Sequence, residues 1–241
     1  MRKLLNLLMK NQQTNKQLCS VKNEGGTLSI FIDGVIDADW GISANDIVNA
    51  LNGFNGDKIN IYLNSPGGSV FEARSMVSKL SRVVAHKTVY IDGLAASSAS
   101  WLALAADEVV MCEGTRLMIH NAWSITVGSA KDMRDTADVL DGLDNTFIDD
   151  YVSAVQKRGK NTSREQLRDY LDSETWFTPE MALDVGFIDR IEGKKRDGAS
   201  NFDLTAYNNA PEPERNESVM DETIAQLIAR NERHLRIIGT Q

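Results

Sequence analysis

Cysteine and proline are scarce, with two and four residues in a chain of 241. Cys19 and Cys112 lie far apart and match no metal-binding spacing, so neither a disulfide framework nor a zinc site organises the chain. A reducing, intracellular setting is the simplest reading. No apolar run approaches the roughly 20 residues of a membrane span. The opening stretch, residues 1–10, has a short apolar part that Asn6 interrupts and Lys10 closes. No small-residue cleavage site follows it, so it reads as an amphipathic helix or a flexible arm, not an export signal. Basic charge is in deficit: 26 Lys and Arg face 34 Asp and Glu, for a net −8. That balance argues against general nucleic-acid binding. There is no fixed-period repeat. Histidine is down to three residues, His86, His120 and His234, so candidate imidazoles are few.

What is present is an ordinary globular composition, 42% apolar and 25% charged, long enough for one sizeable domain plus extensions. Residues 27–32 alternate apolar side chains and read as a strand. Ser43 is placed to cap a helix through Leu51. Residues 58–63 form a second strand, with Ile59, Ile61 and Leu63 on one face. The tight loop Asn64-Ser65-Pro66-Gly67-Gly68-Ser69 leads into a helix ending near Leu80. Thr88-Val89-Tyr90-Ile91 makes residues 87–92 a strand, and the Ala- and Leu-rich residues 98–106 follow as a helix. Residues 108–112 and 116–119 are short strands. Residues 131–157 are a long helix, with Met133, Ala137, Leu140, Leu143, Phe147 and Tyr151 near helical spacing. Residues 163–171 and 179–185 are short helices, and residues 187–191 a closing strand. Strands alternate with helices, which predicts an α/β fold with mostly parallel pairing. After Glu192 the chain turns polar, carries Pro211 and Pro213, and loses apolar periodicity. The resulting division is an N-terminal arm at 1–25, a domain at 26–192, a linker at 193–217 and an amphipathic helix at 218–241. Ile224, Leu227, Ile228, Leu235 and Ile238 give that helix an apolar stripe, able to fold back or to dock on a partner.

Four short stretches carry chemistry. Ser97 stands between a strand and a helix, where free amides and the helix dipole favour negative charge. A serine there can attack a carbonyl while neighbouring amides receive the oxyanion. By itself it reads more readily as an N-cap. The paired glycines of Ser65-Pro66-Gly67-Gly68 let the backbone approach a ligand closely. The Lys-Ser/Thr ending of a phosphate loop is missing there, so a nucleotide site is not indicated. Gly68 and Ser98 could together offer two amides to an oxyanion. Arg116-Leu117-Met118-Ile119-His120 ends a strand in an imidazole, where a general base is wanted. His86 opens a strand beside Lys87 and His234 lies in the tail, which leaves His120 as the suitably placed base. Asp172 and Glu174 precede an aromatic pair and a helix start, and either could orient the imidazole.

These pieces resemble the ClpP-type serine peptidases, most closely the phage head-maturation (prohead) branch. The similarity covers residues 26–192. Ser65-Pro66-Gly67-Gly68, Gly93-Leu94-Ala95-Ala96-Ser97, Met118-Ile119-His120 and Thr178-Pro179-Glu180-Met181-Ala182 through Gly186 occur in the family's order. The resemblance implies a ClpP/crotonase-like α/β fold with a long protruding helix. It also implies Ser97 as nucleophile, His120 as general base, and an oxyanion hole from the Gly68 and Ser98 amides. Aligning back from Gly186 without a gap puts Glu174 where housekeeping relatives carry Asp, so Glu174 is favoured as the orienting acid and Asp172 is the alternative. Homo-oligomeric rings that meet through the long helix are expected, with no cofactor or metal. The expected substrates are polypeptides, capsid or scaffold proteins in particular, in the bacterial cytoplasm or inside a procapsid; no nucleic acid or membrane is involved. No clear docking signature for an ATP-driven unfoldase is found. Competing readings are a housekeeping-type Clp subunit that works with such an unfoldase, a crotonase-type acyl-CoA enzyme, which needs no Ser–His pair, a membrane peptidase with a Ser–Lys dyad, and a non-enzymatic capsid component that keeps the fold.

Overall fold

The computed structural model describes residues 11, 18–193 and 202–211, without the side chains of residues 18–20. The expected helix at 218–241 lies outside the described residues. Eight strands form one sheet: β1 (Leu18–Glu24), β2 (Thr27–Asp33), β3 (Lys58–Ser65), β4 (His86–Ala96), β5 (Glu108–Cys112), β6 (Arg116–Ile119), β7 (Thr175–Phe177) and β8 (Arg190–Glu192). Among the described residues six helices accompany them: α1 (Ala44–Leu51), α2 (Val70–Ser81), α3 (Ser98–Leu104), α4 (Ala130–Lys157), α5 (Arg164–Asp172) and α6 (Pro179–Val185). The main path runs β1-β2-β3-β4-β5-β8. It is parallel from β2 to β8, with β1 antiparallel at the edge. The mixed α/β class expected from the alternation of strands and helices is the class observed.

β2 and β3 alternate because one face is covered. Leu28, Ile30, Ile32, Ile59, Ile61 and Leu63 are all buried beneath the helices. On the opposite face Phe31, Tyr62 and Tyr90 stack across three strands, with ring centroids 4.7 and 5.1 Å apart. Helix starts follow the expected chemistry: Ser43, Ser129 and Ser163 each form a capping box. The first half of α4 is largely exposed, whereas Phe147, Ile148, Tyr151 and Val155 bury its second half in the core.

β4 forks, and the fork positions everything that follows. Its first half, Thr88 to Ile91, pairs with β5. Its second half, Leu94 to Ala96, pairs with β6, which in turn pairs antiparallel with β7. The strand expected at 87–92 therefore runs on through Gly93-Leu94-Ala95-Ala96, where pairing with β6 overrides the weak strand preference of alanine. Two further departures concern the chain's extensions. Residues 18–24, expected in the arm, form β1. Residues 202–210, within the stretch expected as linker, pack on the domain with Phe202 and Tyr207 buried.

Candidate active site

The ends of β4 and β6 lie side by side, with Ala96 opposite Met118. The chain leaves both strands at one edge, so Ser97 and His120 emerge together. The Ser97 amide donates to the Met118 carbonyl at 2.9 Å. Ser97 Oγ lies 2.7 Å from His120 Nε2. Ser97 has φ 56° and ψ −129°. A non-glycine residue adopts such a conformation at a cost of about 1–3 kcal/mol. The turn leaves the hydroxyl with no capping bond to α3. Its partners are the imidazole and the Tyr207 hydroxyl, so the cap reading does not describe this side chain.

The glycine loop closes against the same turn. Gly67 has φ 88°, and a Cβ there would fall 2.5 Å from Ala96 O and 2.8 Å from Ser97 Cβ. A Cβ at Gly68, φ 143°, would fall 2.2 Å from Ile36 O. The Ile36 amide donates to Gly67 O at 2.9 Å, and the Ile36 carbonyl accepts from the Ser69 amide at 2.7 Å. That pinning leaves the Gly68 amide outside the ladder. Among the described residues, neither the Gly68 nor the Ser98 amide donates to a protein acceptor. Both residues line a cleft of about 310 Å³ together with Ser97 and His120. Its far wall is apolar, built from Trp101 of α3 and Leu140, Leu143 and Phe147 of α4. Two hydrogen bonds hold α3 and α4 in place behind it, Trp101 Nε1 to Asp150 Oδ2 at 2.8 Å and Ser100 Oγ with Tyr151 Oη at 3.1 Å.

Burial pulls the His120 imidazole down from its ordinary 6.5 to about 4, with the nearby Glu174 carboxylate pulling the other way. His120 is therefore neutral at neutral pH and able to accept the Ser97 proton.

The two candidate acids are placed differently. Asp172 Oδ1 accepts from Asn121 Nδ2 at 2.8 Å, next door to the histidine. Glu174, at φ 47°, faces the segment 202–210: its Oε2 accepts from the Asn208 amide at 3.0 Å and its Oε1 from the Asn209 amide at 2.6 Å. Among the described residues, no hydrogen bond joins either acid to His120. Two contributors were not singled out from the sequence. Gly67 lay inside a motif already marked, and its positive φ and contact with Ser97 became visible only in three dimensions. Tyr207 had no local signal: its ring stands edge-to-face on His120, centroids 5.4 Å apart. Burial pushes its phenol pKa up, so it is a neutral donor. His86 begins β4, far along the strand from Ser97, and His234 lies outside the described residues. Among the described residues no cluster of three or more His, Cys, Asp or Glu is placed to hold a metal ion.

Comparison with known proteins gives a consistent picture. Residues 25–195 match the family model described as Clp protease. The chain is 29% identical over 170 residues to the ATP-dependent Clp protease proteolytic subunit 1 of Protochlamydia amoebophila, covering 67% of this chain and 79% of that one. It is 28% identical over 172 residues to the protein of the same name from Prochlorococcus marinus, covering 69% and 84%. The ATP-dependent Clp protease proteolytic subunit of Porphyromonas gingivalis is 30% identical over 143 residues, covering 58% and 62%.

Proposed function

The chain belongs to the Clp protease family, and from that premise we propose that it is a serine endopeptidase with Ser97 as nucleophile and His120 as general base. The observation that carries this reading is the 2.7 Å approach of Ser97 Oγ to His120 Nε2. In the proposed reaction Ser97 Oγ attacks the scissile carbonyl carbon as its proton passes to His120 Nε2. The oxyanion is received by the Gly68 and Ser98 amides. Collapse breaks the C–N bond, the amine leaves with the proton from His120, and an ester to Ser97 remains. Water then gives a proton to His120 and attacks that ester, and Ser97 leaves with the proton returned. The apolar wall of the cleft favours substrates that place an apolar side chain beside the scissile bond. Glu174 is the acid proposed to stabilise the imidazolium.

A fluorophosphonate probe tests the assignment. Labelling is expected at Ser97 and lost in both Ser97→Ala and His120→Ala. Equal labelling of Ser97→Ala overturns it.

The finer reading is a phage or prophage head-maturation protease, acting on capsid or scaffold proteins in the host cytoplasm or a procapsid. Its support is the order and form of the sequence motifs. Co-expression with a phage capsid or scaffold protein that this protease processes should yield shortened products with wild type and none with Ser97→Ala. A second reading is a Clp proteolytic subunit fed by an ATP-driven unfoldase, which the names of the relatives favour. It predicts degradation of a folded substrate only when such an ATPase and ATP are added. Either reading goes with a homo-oligomeric ring in which the exposed half of α4 meets a neighbour, testable by sizing.

A further inference from the structure

Residues 202–210 cross the edge of the site and are tied down at several points. Phe202 and Tyr207 are buried in a small apolar cluster with Leu94, Ala96 and Met118, separate from the main core. Those three residues end β4 and β6, one to three positions before Ser97 and two before His120. The Tyr207 hydroxyl donates to the Pro66 carbonyl at 2.5 Å, and its ring packs edge-to-face on both His120 and Trp176. Asn209 Nδ2 donates to the Ser173 carbonyl at 2.8 Å. At the other end, the Asp203 amide donates to Asn11 Oδ1 at 2.6 Å and the Asp203 carbonyl accepts from Asn11 Nδ2 at 3.1 Å.

The segment also holds the acid. Two consecutive backbone amides hold the two oxygens of Glu174. Hydrogen bonds to a charged group are stronger than neutral ones. A carboxylate so held has little reason to turn toward an imidazole. Freed of the strap, the same carboxylate has His120 as a neighbouring partner. The strap and the imidazole therefore compete for one acid, and the strap competes at the high effective concentration of a tethered ligand.

We propose that Pro66, the ends of β4 and β6, Trp176 and Glu174 form a peptide-binding groove beside Ser97, whose resident ligand is the chain's own 202–210 segment, and that this strap restrains the peptidase by holding Glu174 away from His120. The proposal rests on the serine-peptidase reading above. Tyr207 forms one part of the cleft wall, yet about 310 Å³ stays open beside Ser97, so the restraint acts on the chemical step more than on substrate entry. Loss of the acid from a Ser-His-acid triad costs about 10⁴-fold in turnover elsewhere, which sets the room available for activation.

The test uses the full chain in three forms: wild type, Tyr207→Ser, which removes the buried anchor, and Asn209→Pro, which deletes one amide donated to Glu174. A chromogenic peptide reports kcat and KM, and a fluorophosphonate reports labelling at Ser97. Both variants are expected to raise kcat at least tenfold with KM within threefold. A synthetic peptide of residues 202–211 added in trans should reverse the gain. If Tyr207→Ser does not fold, Asn209→Pro decides. Failure of both to fold makes the segment a structural element and overturns the proposal. Unchanged or lower kcat in folded variants, with wild type still labelled at Ser97, also overturns it and leaves the peptidase reading standing. Absence of Ser97 labelling in every form overturns both.

Discussion

Replacing Gly67 with alanine should disable Ser97, the proposed nucleophile, without touching it chemically. The added Cβ would lie 2.5 Å from Ala96 O and 2.8 Å from Ser97 Cβ, against ordinary contacts that begin at 3.4 Å. Relief requires Ala96 O to retreat by about 0.9 Å, 3.4 less 2.5, and Ser97 Cβ by about 0.6 Å, 3.4 less 2.8. Neither can move alone. Ala96 is in register with Met118, and the Ser97 amide is bonded to the Met118 carbonyl, so displacement reaches His120 through β6. A positive φ of 88° adds backbone strain, of order 1–2 kcal/mol for a residue with a Cβ. A misplacement near 1 Å costs about 10²-fold in rate. Gly67→Ala should therefore lose about 1–3 kcal/mol of stability and at least about 100-fold in the labelling rate at Ser97. A thermal melt and a fluorophosphonate time course on one sample measure both. A variant that labels within threefold of wild type and melts unchanged would show that the glycine loop does not press on Ser97, and the steric argument would fail.

The Ser98 side chain and amide can be separated. Its Oγ is buried with no partner among the described residues, so Ser98→Ala should keep its labelling rate and melt at or above the wild-type temperature. Ser98→Pro removes the amide at a helix position that tolerates proline and should cost about 10²–10³ in kcat. Because burial holds His120 at about 4, kcat/KM should stay level from neutrality to about pH 5 and fall below that; a midpoint near 6.5 in the wild type would show that the imidazole is not buried as described. The same shift acts on stability: the histidine's contribution is complete above 6.5 and is lost as pH falls from 6.5 toward 4, so melts should weaken over that window and less so in His120→Gln. Asp144 Oδ1 accepts from the Ala122 amide at 2.6 Å, and Ala122 lines the cleft. Asp144→Ala should cost about 1–3 kcal/mol and raise KM more than it lowers kcat.

The site was legible where its signals are local. Ser97 and His120 each sit just past a β-rich run, and Gly67-Gly68 just past another, so strand, exit and candidate residue lie within a few positions of one another. What was not legible depends on distant partners. β7 has three residues and exists because β6 offers it an edge. Leu94-Ala95-Ala96 is a strand by virtue of β6 on one side and of Ser65 in β3, opposite Ala95, on the other. Phe202 and Tyr207 are two aromatics in a polar stretch without periodicity, and their partners Leu94, Ala96 and Met118 are more than 80 residues away in the chain. The pattern around Asp172 and Glu174 named both carboxylates but could not say which way either faces, since their partners are Asn121 and the amides of residues 208 and 209.

The fork in β4 also divides the site by rigidity. Ser97 and His120 are carried by adjacent central strands laced by backbone hydrogen bonds, so they can part only if the middle of the sheet opens. The amides of Ser97 and Met118 should accordingly be among the slowest in the chain to exchange with deuterium. Glu174 hangs just ahead of a three-residue strand at the sheet's margin. Opening there exposes few contacts and should be frequent. The molecule thus keeps its proposed nucleophile and base as a fixed pair and leaves the proposed acid as the member whose position can be traded.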